Sequence, residues 1–307
     1  MNNHHLVVGA GSVGSALASQ LSNAAGADVT VVTRSRSGPQ VPGLRKVALD
    51  ASNATALLES VPASVAIYNC VNPQYHRWPQ EWPPLAAAFI AYAQRTGAVL
   101  VTCSNLYGYG PQSIPLTEDL ALAATGSKGR VRAKMWADAL ALHHAGEIRS
   151  TEVRGSDYLS PGAQSRMGDR VVPRILSRKG VQLVGALDTP HTWTSPNDVA
   201  RLMAVVGGDE RAWGRAWPVP SNAPRTQREV VCDIADAAAC PRGRVSEVPA
   251  SLLWGLGLVN PGIRELKETD YQFGAPFILD DTAARTAFGF EPTPWSTMLA
   301  DLVTAYR

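Results

Sequence analysis

The chain has 307 residues, of which 45% are hydrophobic and 18% are charged, and its formal net charge is +2. This composition supplies a sizeable core and excludes a disordered chain, and the near balance of charge argues against a nucleic-acid partner. The length fits either two ordinary domains or one α/β domain with a modest appended lobe. A glycine motif follows the amino terminus too closely for a signal peptide, and no apolar run is as long as a membrane span. We therefore expect a cytoplasmic protein without a membrane partner.

The first half of the chain alternates short runs of Val, Ile and Leu with Ala-rich segments of helical length. This alternation predicts βαβ units, and the continuous apolar runs indicate a parallel sheet with both faces covered. Strands are predicted at residues 5–10, 28–33, 44–50, 65–71, 98–104 and 148–155. Helices are predicted to begin near Ser12, Ser52, Pro84 and Lys128.

The pattern becomes irregular after Gly155. A loop is predicted at 156–170, a helix at 171–180, a strand at 181–187, a turn into a helix at 191–206, and helices near 227–238 and 293–307. The predicted fold class is α/β, a Rossmann doubly wound parallel sheet with a smaller C-terminal substrate lobe. We assign residues 1–155 to the cofactor-binding Rossmann domain, to which segments near 187–220 return. Residues 156–186 and 221–307 are assigned mainly to the substrate-binding lobe.

The motif "GAGSVG" directly follows the first predicted strand and opens a helix. Glycines there permit a tight turn and the close approach of a pyrophosphate to the helix N-terminus, and the second strand ends about 20 residues later, as the dinucleotide fingerprint requires. The predicted contacts at this turn and after the fourth strand are Gly9, Gly11, Ser12, Val13, Gly14, Cys70 and Val71.

The end of the second strand favours NADP over NAD. It reads Thr33, Arg34, Ser35, Arg36, with no carboxylate to take a ribose hydroxyl or to repel a 2′-phosphate, and Arg34 can donate to that phosphate. The alternative is that Arg34 and Arg36 are solvated charges on a loop. Asp50, at the end of the third strand, is expected to accept from the adenine amino group, to cap the next helix, or both.

Several segments together resemble the extended and atypical short-chain dehydrogenase/reductase superfamily, in its NAD-dependent epimerase/dehydratase-like branch. They are "GAGSVG", "VLVTCSNLYGYG", "RVRAK", "RGSDYLSPG", "HTWTSPNDVARLM" and "FILDDTAARTAFGFEPTPW", and they span nearly the whole chain. The resemblance implies a Ser or Thr at the end of the fifth strand and a Tyr with a Lys four residues later. Ser104 matches the Ser, with Thr102 as the alternative, and Lys134 matches the Lys that holds the nicotinamide ribose. Arg130 stands where the Tyr is expected.

Arg130 cannot act as a proton shuttle, because an arginine side chain stays protonated in proteins and carries only donors. It can instead bind a substrate carboxylate or stabilise an oxyanion. Tyr107, Tyr158 and His191 are the candidate replacement proton donors, against the alternatives of a packing tyrosine and a structural histidine. Lys134 likewise has an alternative, a solvated pair with Asp138.

These features predict an NADP(H)-dependent oxidoreductase that reduces a carbonyl or an activated double bond of a small organic molecule. The alternatives are a sugar-nucleotide epimerase/dehydratase-like enzyme, a non-catalytic NADP-sensing protein, or a non-redox cyclase or isomerase. Met167, Trp193 and 252–262 offer surface for an apolar or aromatic substrate, although such residues are also typical of a core. The resemblance further implies a homodimer formed through the Lys134 helix and its neighbour. Four cysteines without zinc or disulfide spacing predict no metal site.

Overall fold

The computed structural model describes residues 3–163, 165–249 and 267–307. Its centre is a seven-stranded parallel sheet in the order β10-β6-β5-β4-β1-β2-β3. These strands are β1 His4–Val8, β2 Asp28–Thr33, β3 Arg45–Ala48, β4 Ala66–Asn69, β5 Val99–Ser104, β6 Arg149–Arg154 and β10 Ala216–Pro218. The predicted α/β Rossmann fold is confirmed, and all six predicted strands of the first half are present.

Helices cover both faces of this sheet. In the described residues the α-helices of the sheet and of the lobe are α1 Ser12–Ser22, α2 Ala54–Ser60, α3 Trp78–Thr96, α4 Ser127–His144, α5 Val172–Leu176, α6 Pro196–Gly208, α7 Gln227–Ala237, α8 Thr282–Phe288 and α9 Trp295–Ala305. One core lies between the sheet and α1, α6 and α8, and the other lies between the sheet and α2, α3 and α4. Within the described ranges, no helix has the length and apolarity that a membrane crossing requires.

Helix α3 begins at Trp78, earlier than the start predicted near Pro84. Pro79 occupies its first turn, where a missing N–H loses no helical hydrogen bond. Pro83 and Pro84 lie inside the helix, where a proline normally costs stability. The side chains of Trp78 and Trp82 are fully buried, and this burial of large apolar surface stabilises the additional turn.

The lobe has its own core. It contains two small parallel pairs, β7 Asp157–Tyr158 with β9 Trp193–Thr194 and β8 Val181–Leu183 with β11 Val245–Glu247. Helices α5, α7 and α9 pack around a buried cluster that includes Met167 and Trp193, so these two residues belong to the lobe core. Residues 252–262, the rest of the predicted apolar surface, lie outside the described residues.

Parts of the second half of the chain return to the Rossmann unit. Helix α6 packs against α1, and β10 extends the central sheet beside β6. Ala284 of α8 and Phe290 after it are buried in the same core as Val7 of β1. Segments from the second half of the chain therefore pack against the Rossmann unit. A cleft lies between the lobe and the carboxyl ends of the central strands.

Candidate active-site cleft

The cleft lies where the order of the central sheet reverses, between β1 and β4. In open α/β sheets the loops after two such strands run in opposite directions and leave a crevice at their carboxyl ends. Here the crevice has a volume of about 770 Å³. Its lining comes from the ends of β1, β2, β4 and β5, from helices α1, α3 and α4, from the segments after β3, β4 and β6, and from Gln272 of the lobe.

The glycine turn after β1 is packed as a dinucleotide cradle. Gly9 has φ +98°, and a Cβ there would lie 2.5 Å from the carbonyl oxygen of Cys70. A Cβ on Gly14 would lie 2.1 Å from the carbonyl oxygen of Gly9, whereas a Cβ on Gly11 would meet no atom within 4 Å. Gly9 and Gly14 therefore allow the close packing of the turn, and Gly11 leaves open space at the start of α1.

Helix α1 presents its N-terminus to that space. Gly11 is its N-cap, and in the described part of the chain no side chain caps the helix. The N–H groups at a helix start attract anions through hydrogen bonding and the helix dipole. The predicted contacts that line the cleft here are Gly9, Gly11, Ser12, Val13, Cys70 and Val71, while Gly14 packs beneath them. This arrangement fits a pyrophosphate.

The two arginines after β2 have different surroundings. Thr33, Arg34 and Ser35 line the cleft. Arg36 has φ +58°, lies outside the lining, and donates through Nε to the carbonyl oxygen of Lys46 at 3.1 Å. Arg36 therefore matches the alternative interpretation, a charged side chain on a loop that contacts no ligand. Arg34 is placed to contact a ligand in the cleft.

Asp50 lines the same end of the cleft. Its Oδ1 accepts hydrogen bonds from the backbone N–H and the hydroxyl of Ser52, at 3.0 and 2.8 Å, and these bonds lower the pKa of Asp50. The cap of α2 is Asn53, whose side chain accepts from the N–H of Ala56 at 3.0 Å. The helix-cap interpretation of Asp50 is therefore wrong, and Asp50 is instead a lining residue of the cleft.

Helix α4 turns a different face to the cleft than the predicted one. Lys134 lies on the outer surface with 76% of its side chain exposed, and its Nζ is 2.8 Å from Asp138 Oδ2. Arg130 is also exposed and donates to the carbonyl oxygen of Thr125. The structure brings neither residue to the cleft. Arg132, two positions before Lys134 and so about 200° away around the helix, lines it instead.

Arg132 is a buried cation at the floor of the cleft. Its guanidinium carbon lies 4.8 and 4.3 Å from the ring centroids of Trp78 and Trp82, and Nη1 donates to the carbonyl oxygen of Cys103 at 3.3 Å. Only 6% of the residue is exposed, and burial lowers the pKa of Arg132. Among the described residues no carboxylate forms an ion pair with it, so its charge is available to an anionic or oxygen-rich ligand.

Lys128, one turn before Arg132, is held by the lobe. Its Nζ lies 3.1 Å from Glu268 Oε2, and its backbone N–H donates to Glu268 Oε1 at 2.6 Å. Glu268 thereby supplies the acidic group that α4 lacks in its own first turn. The buried face of α4 carries Lys128 and Arg132, of which Arg132 lines the cleft, and the helix contains no tyrosine at any position.

Hydroxyl groups surround the inner end of the cleft. The Tyr75 and Tyr107 hydroxyls lie 2.7 Å apart, and the Tyr158 hydroxyl lies 3.5 Å from Cys103 Sγ. Burial raises the pKa of each of these three tyrosines. Ser104 is 4% exposed and lines the same region. At neutral pH this end of the cleft therefore presents protonated hydroxyls.

His191 lies one layer behind the lining. It is 1% exposed, and its Nε2 lies 3.0 Å from Oδ2 of Asp157, which does line the cleft. Of the predicted catalytic residues, the structure brings Ser104, Tyr107 and Tyr158 to the cleft, places His191 behind it, and leaves Lys134 and Arg130 on the outer face of α4.

A model of the NAD-dependent epimerase/dehydratase family matches residues 5–214. The chain belongs to this family. Its fold is similar to that of dTDP-glucose 4,6-dehydratase from Bacillus anthracis str. Ames in complex with NAD, with TM-score 0.79 and 17% identity over 99% of this chain and 96% of that one. It is also similar to UDP-glucose 4-epimerase from Thermotoga maritima, with TM-score 0.80 and 14% identity over 99% and 98%. At such identities the likeness concerns the fold alone, and a search of curated proteins gave no match.

Sequence reasoning on this epimerase/dehydratase family member missed Arg132, Asp157 and Tyr75. One signal for the α4 register was present. Gly129 is the third residue of α4, and a Cβ there would lie 2.5 Å from the carbonyl oxygen of Tyr107. A helical glycine often marks close packing against a backbone. It places Lys128, Gly129 and Arg132 on the inner face.

Proposed function

We propose that this protein is an NADP(H)-dependent oxidoreductase that reduces a carbonyl or an activated double bond of a small organic molecule. The observation that carries the proposal is the cleft itself. One end has the glycine cradle and Arg34 with no carboxylate at the tip of β2, and the other end has buried, protonated hydroxyls beside Arg132.

The residues present fit the cofactor. The N–H groups at the start of α1 would hold the pyrophosphate, Arg34 and Ser35 the 2′-phosphate, and Asp50 the adenine amino group. Arg132 would take the ribose of the nicotinamide, the role first expected of Lys134. When bound, the reduced cofactor supplies a hydride.

The protonated tyrosine hydroxyls that line the cleft favour reduction of a carbonyl over oxidation of an alcohol. Tyr107 and Tyr158 donate hydrogen bonds in their neutral form, which their raised pKa values favour. Donors of this kind, together with the Ser104 hydroxyl, stabilise negative charge that develops on a carbonyl oxygen. Oxidation of an alcohol needs a base at the same place, and a tyrosine with a raised pKa is a poor one.

The family relationship favours a second candidate, a sugar-nucleotide epimerase or dehydratase. Members of this family with similar structures carry these activities in their names. Such an enzyme would begin by oxidising a sugar hydroxyl, and it would bind a nucleoside diphosphate beside Gln272 and Tyr158.

Binding and turnover separate the two candidates. We would titrate the protein with NADPH and NADH by fluorescence, and then follow NADPH oxidation with a panel of aldehydes, ketones and enones. UDP-glucose and dTDP-glucose with NAD⁺ test the second candidate through new sugar products. Tighter binding of NADPH with turnover of at least one electrophile is expected. Conversion of a sugar nucleotide without net NADPH oxidation would refute the reductase proposal, and binding without any turnover would indicate a sensor.

A further inference from the structure

His191 has partners that fix where its protons are. Its Nδ1 lies 3.1 Å from the carbonyl oxygen of Gln272, and its Nε2 lies 3.0 Å from Asp157 Oδ2 and 3.4 Å from Ser156 Oγ. A backbone carbonyl only accepts, so Nδ1 must carry a hydrogen. If the ring were neutral, Nε2 would then be an acceptor that faces a carboxylate, which also only accepts.

A proton on the contact between His191 and Asp157 removes this clash of two acceptors. With that proton in place, the donor on one side of the contact meets an acceptor on the other. The pair is then either an imidazolium with a carboxylate or a neutral imidazole with a carboxylic acid. Burial raises the pKa of Asp157, but the hydrogen bond and charge of His191 and the charge of Arg166 outweigh it, and the net shift is downward. The imidazolium with a carboxylate is thus the favoured form.

The surroundings keep this proton in place. The His191 ring is stacked on Phe273 and Phe277, with centroid distances of 4.2 and 5.5 Å, and it is tilted against Trp193 at 5.1 Å. The other charged or titratable groups whose fields act on Asp157, or on which its charge acts, are Arg166, Tyr75, Tyr107 and Tyr271. Since these tyrosines are neutral, His191 and Arg166 are the charges that Asp157 faces among residues 3–163, 165–249 and 267–307.

Ser156 connects the pair to the cleft. It is 8% exposed and lines the cleft beside Asp157 and Tyr158, whereas His191 does not line it. Its Oγ can accept from Nε2–H and turn its own hydrogen towards the cleft, because a hydroxyl both donates and accepts. His191, Ser156 and the cleft thus form a short path for a proton.

We propose that the His191–Asp157 pair stores the proton of the reduction and that Ser156 delivers it to the substrate. The inference rests on the proposed function. A bound reduced cofactor would supply both electrons, as a hydride, to the electrophilic carbon. Ser156 gives its hydroxyl proton to the substrate oxygen and takes the Nε2 proton of His191. The neutral imidazole then faces the Asp157 carboxylate, an unfavourable contact that is relieved when a proton from water returns to Nε2.

The stored proton is tested without any substrate. We would label the six histidines with ¹⁵N and record long-range ¹H–¹⁵N spectra against pH, with His191→Gln to assign the His191 signals. We expect Nδ1 to carry hydrogen throughout, and Nε2 to lose its proton at a lower pH in Asp157→Asn than in the wild type. A His191 with a bare Nδ1, or a titration that Asp157→Asn leaves unchanged, would overturn the proposal.

The delivery step is tested with two hydride acceptors. Reduction of 9,10-phenanthrenequinone needs a proton, whereas the cation malachite green takes up hydride alone. We expect Ser156→Ala to lower the quinone rate by about 100-fold, the usual range for lost general acid catalysis, and to leave the dye rate unchanged. In the wild type the quinone rate falls as pH rises and the pair loses its proton. His191→Gln, whose amide cannot titrate, removes this dependence, and the exposed His144→Gln is the matched control.

The outcomes distinguish the two proposals. If no electrophile in any panel oxidises NADPH, the proposed function and this inference both fail. If NADPH is consumed but Ser156→Ala changes the quinone and dye rates equally, or the pH dependence survives in His191→Gln, only the inference fails.

Discussion

Replacing Arg34 by Ala tests the inference that this cleft selects NADPH. Arg34 is exposed and lines the cleft at the end of β2, where a 2′-phosphate would lie. A hydrogen bond to a charged group is worth about 1.5–3 kcal/mol, and exposure to water places this one near the lower end. A loss of about 1.5–2 kcal/mol corresponds to NADPH binding that is about 10- to 30-fold weaker.

The effect on NADH should be small. NADH has no 2′-phosphate, so Arg34→Ala removes no phosphate contact from it. The Asp50 carboxylate, which would accept from the adenine amino group of either cofactor, keeps its Ser52 hydrogen bonds, the largest cause of its lowered pKa. We expect the Kd for NADH, measured by the same fluorescence titration, to change less than about twofold, within the scatter of surface substitutions.

Arg36→Ala is the matched control, because Arg36 lies on the same loop but donates to the carbonyl oxygen of Lys46. It should leave the ratio of the two dissociation constants unchanged. The reasoning fails if wild-type protein binds NADH more tightly than NADPH, if Arg34→Ala weakens both equally, or if Arg36→Ala reproduces its effect.

Three further predictions concern the cradle and α4. Gly11→Ala should abolish NADPH binding without lowering the melting temperature, because its Cβ has room in the protein but occupies the ligand's approach, whereas Gly14→Ala should destabilise the fold. Unchanged NADPH affinity in a folded Gly11→Ala would contradict this assignment. Arg132→Met should weaken NADPH binding by about 10-fold or more, as expected when a charged contact is lost, while Lys134→Ala should have no effect on binding; the opposite pattern in the same titration would restore Lys134 to the site. Glu268→Ala should lower the free energy of unfolding by about 1.5 kcal/mol or more, because it removes the charged acceptor of the Lys128 N–H at the start of α4. Asp138→Ala, at the exposed pair with Lys134, should change it by less than about 0.5 kcal/mol in the same urea titration.

The sequence predicted the features that depend on local pattern. Continuous apolar runs specify strands buried on both faces, and the order of strands and helices specifies a parallel sheet. The glycine turn could be read directly because its function depends on backbone geometry within one short segment. These features place the cleft, since the carboxyl ends of β1 and β4 must meet where the sheet order reverses.

Local sequence pattern could not decide which of two chemically similar residues takes a given role. Asp50 and Asn53 are both suitable caps for α2, and the local chain geometry gives the cap to Asn53 and leaves Asp50 as a lining residue of the cleft. Helix α3 begins at Trp78 because two buried tryptophans outweigh the prolines that follow, and their burial depends on residues distant in the chain.

The register of α4 shows the same division most clearly. A spacing of four residues relates Arg130 to Lys134 and equally relates Lys128 to Arg132, so spacing alone gives no reason to prefer either pair. The inner face is decided by Gly129 against the Tyr107 backbone, by Trp78 and Trp82 around Arg132, and by Glu268, 140 residues beyond Lys128. The sequence by itself determined that a glycine turn lies at the carboxyl end of the first strand, beside a cleft. Only the tertiary structure decided which cation enters it, because the face that a helix buries is set by the surfaces packed against it.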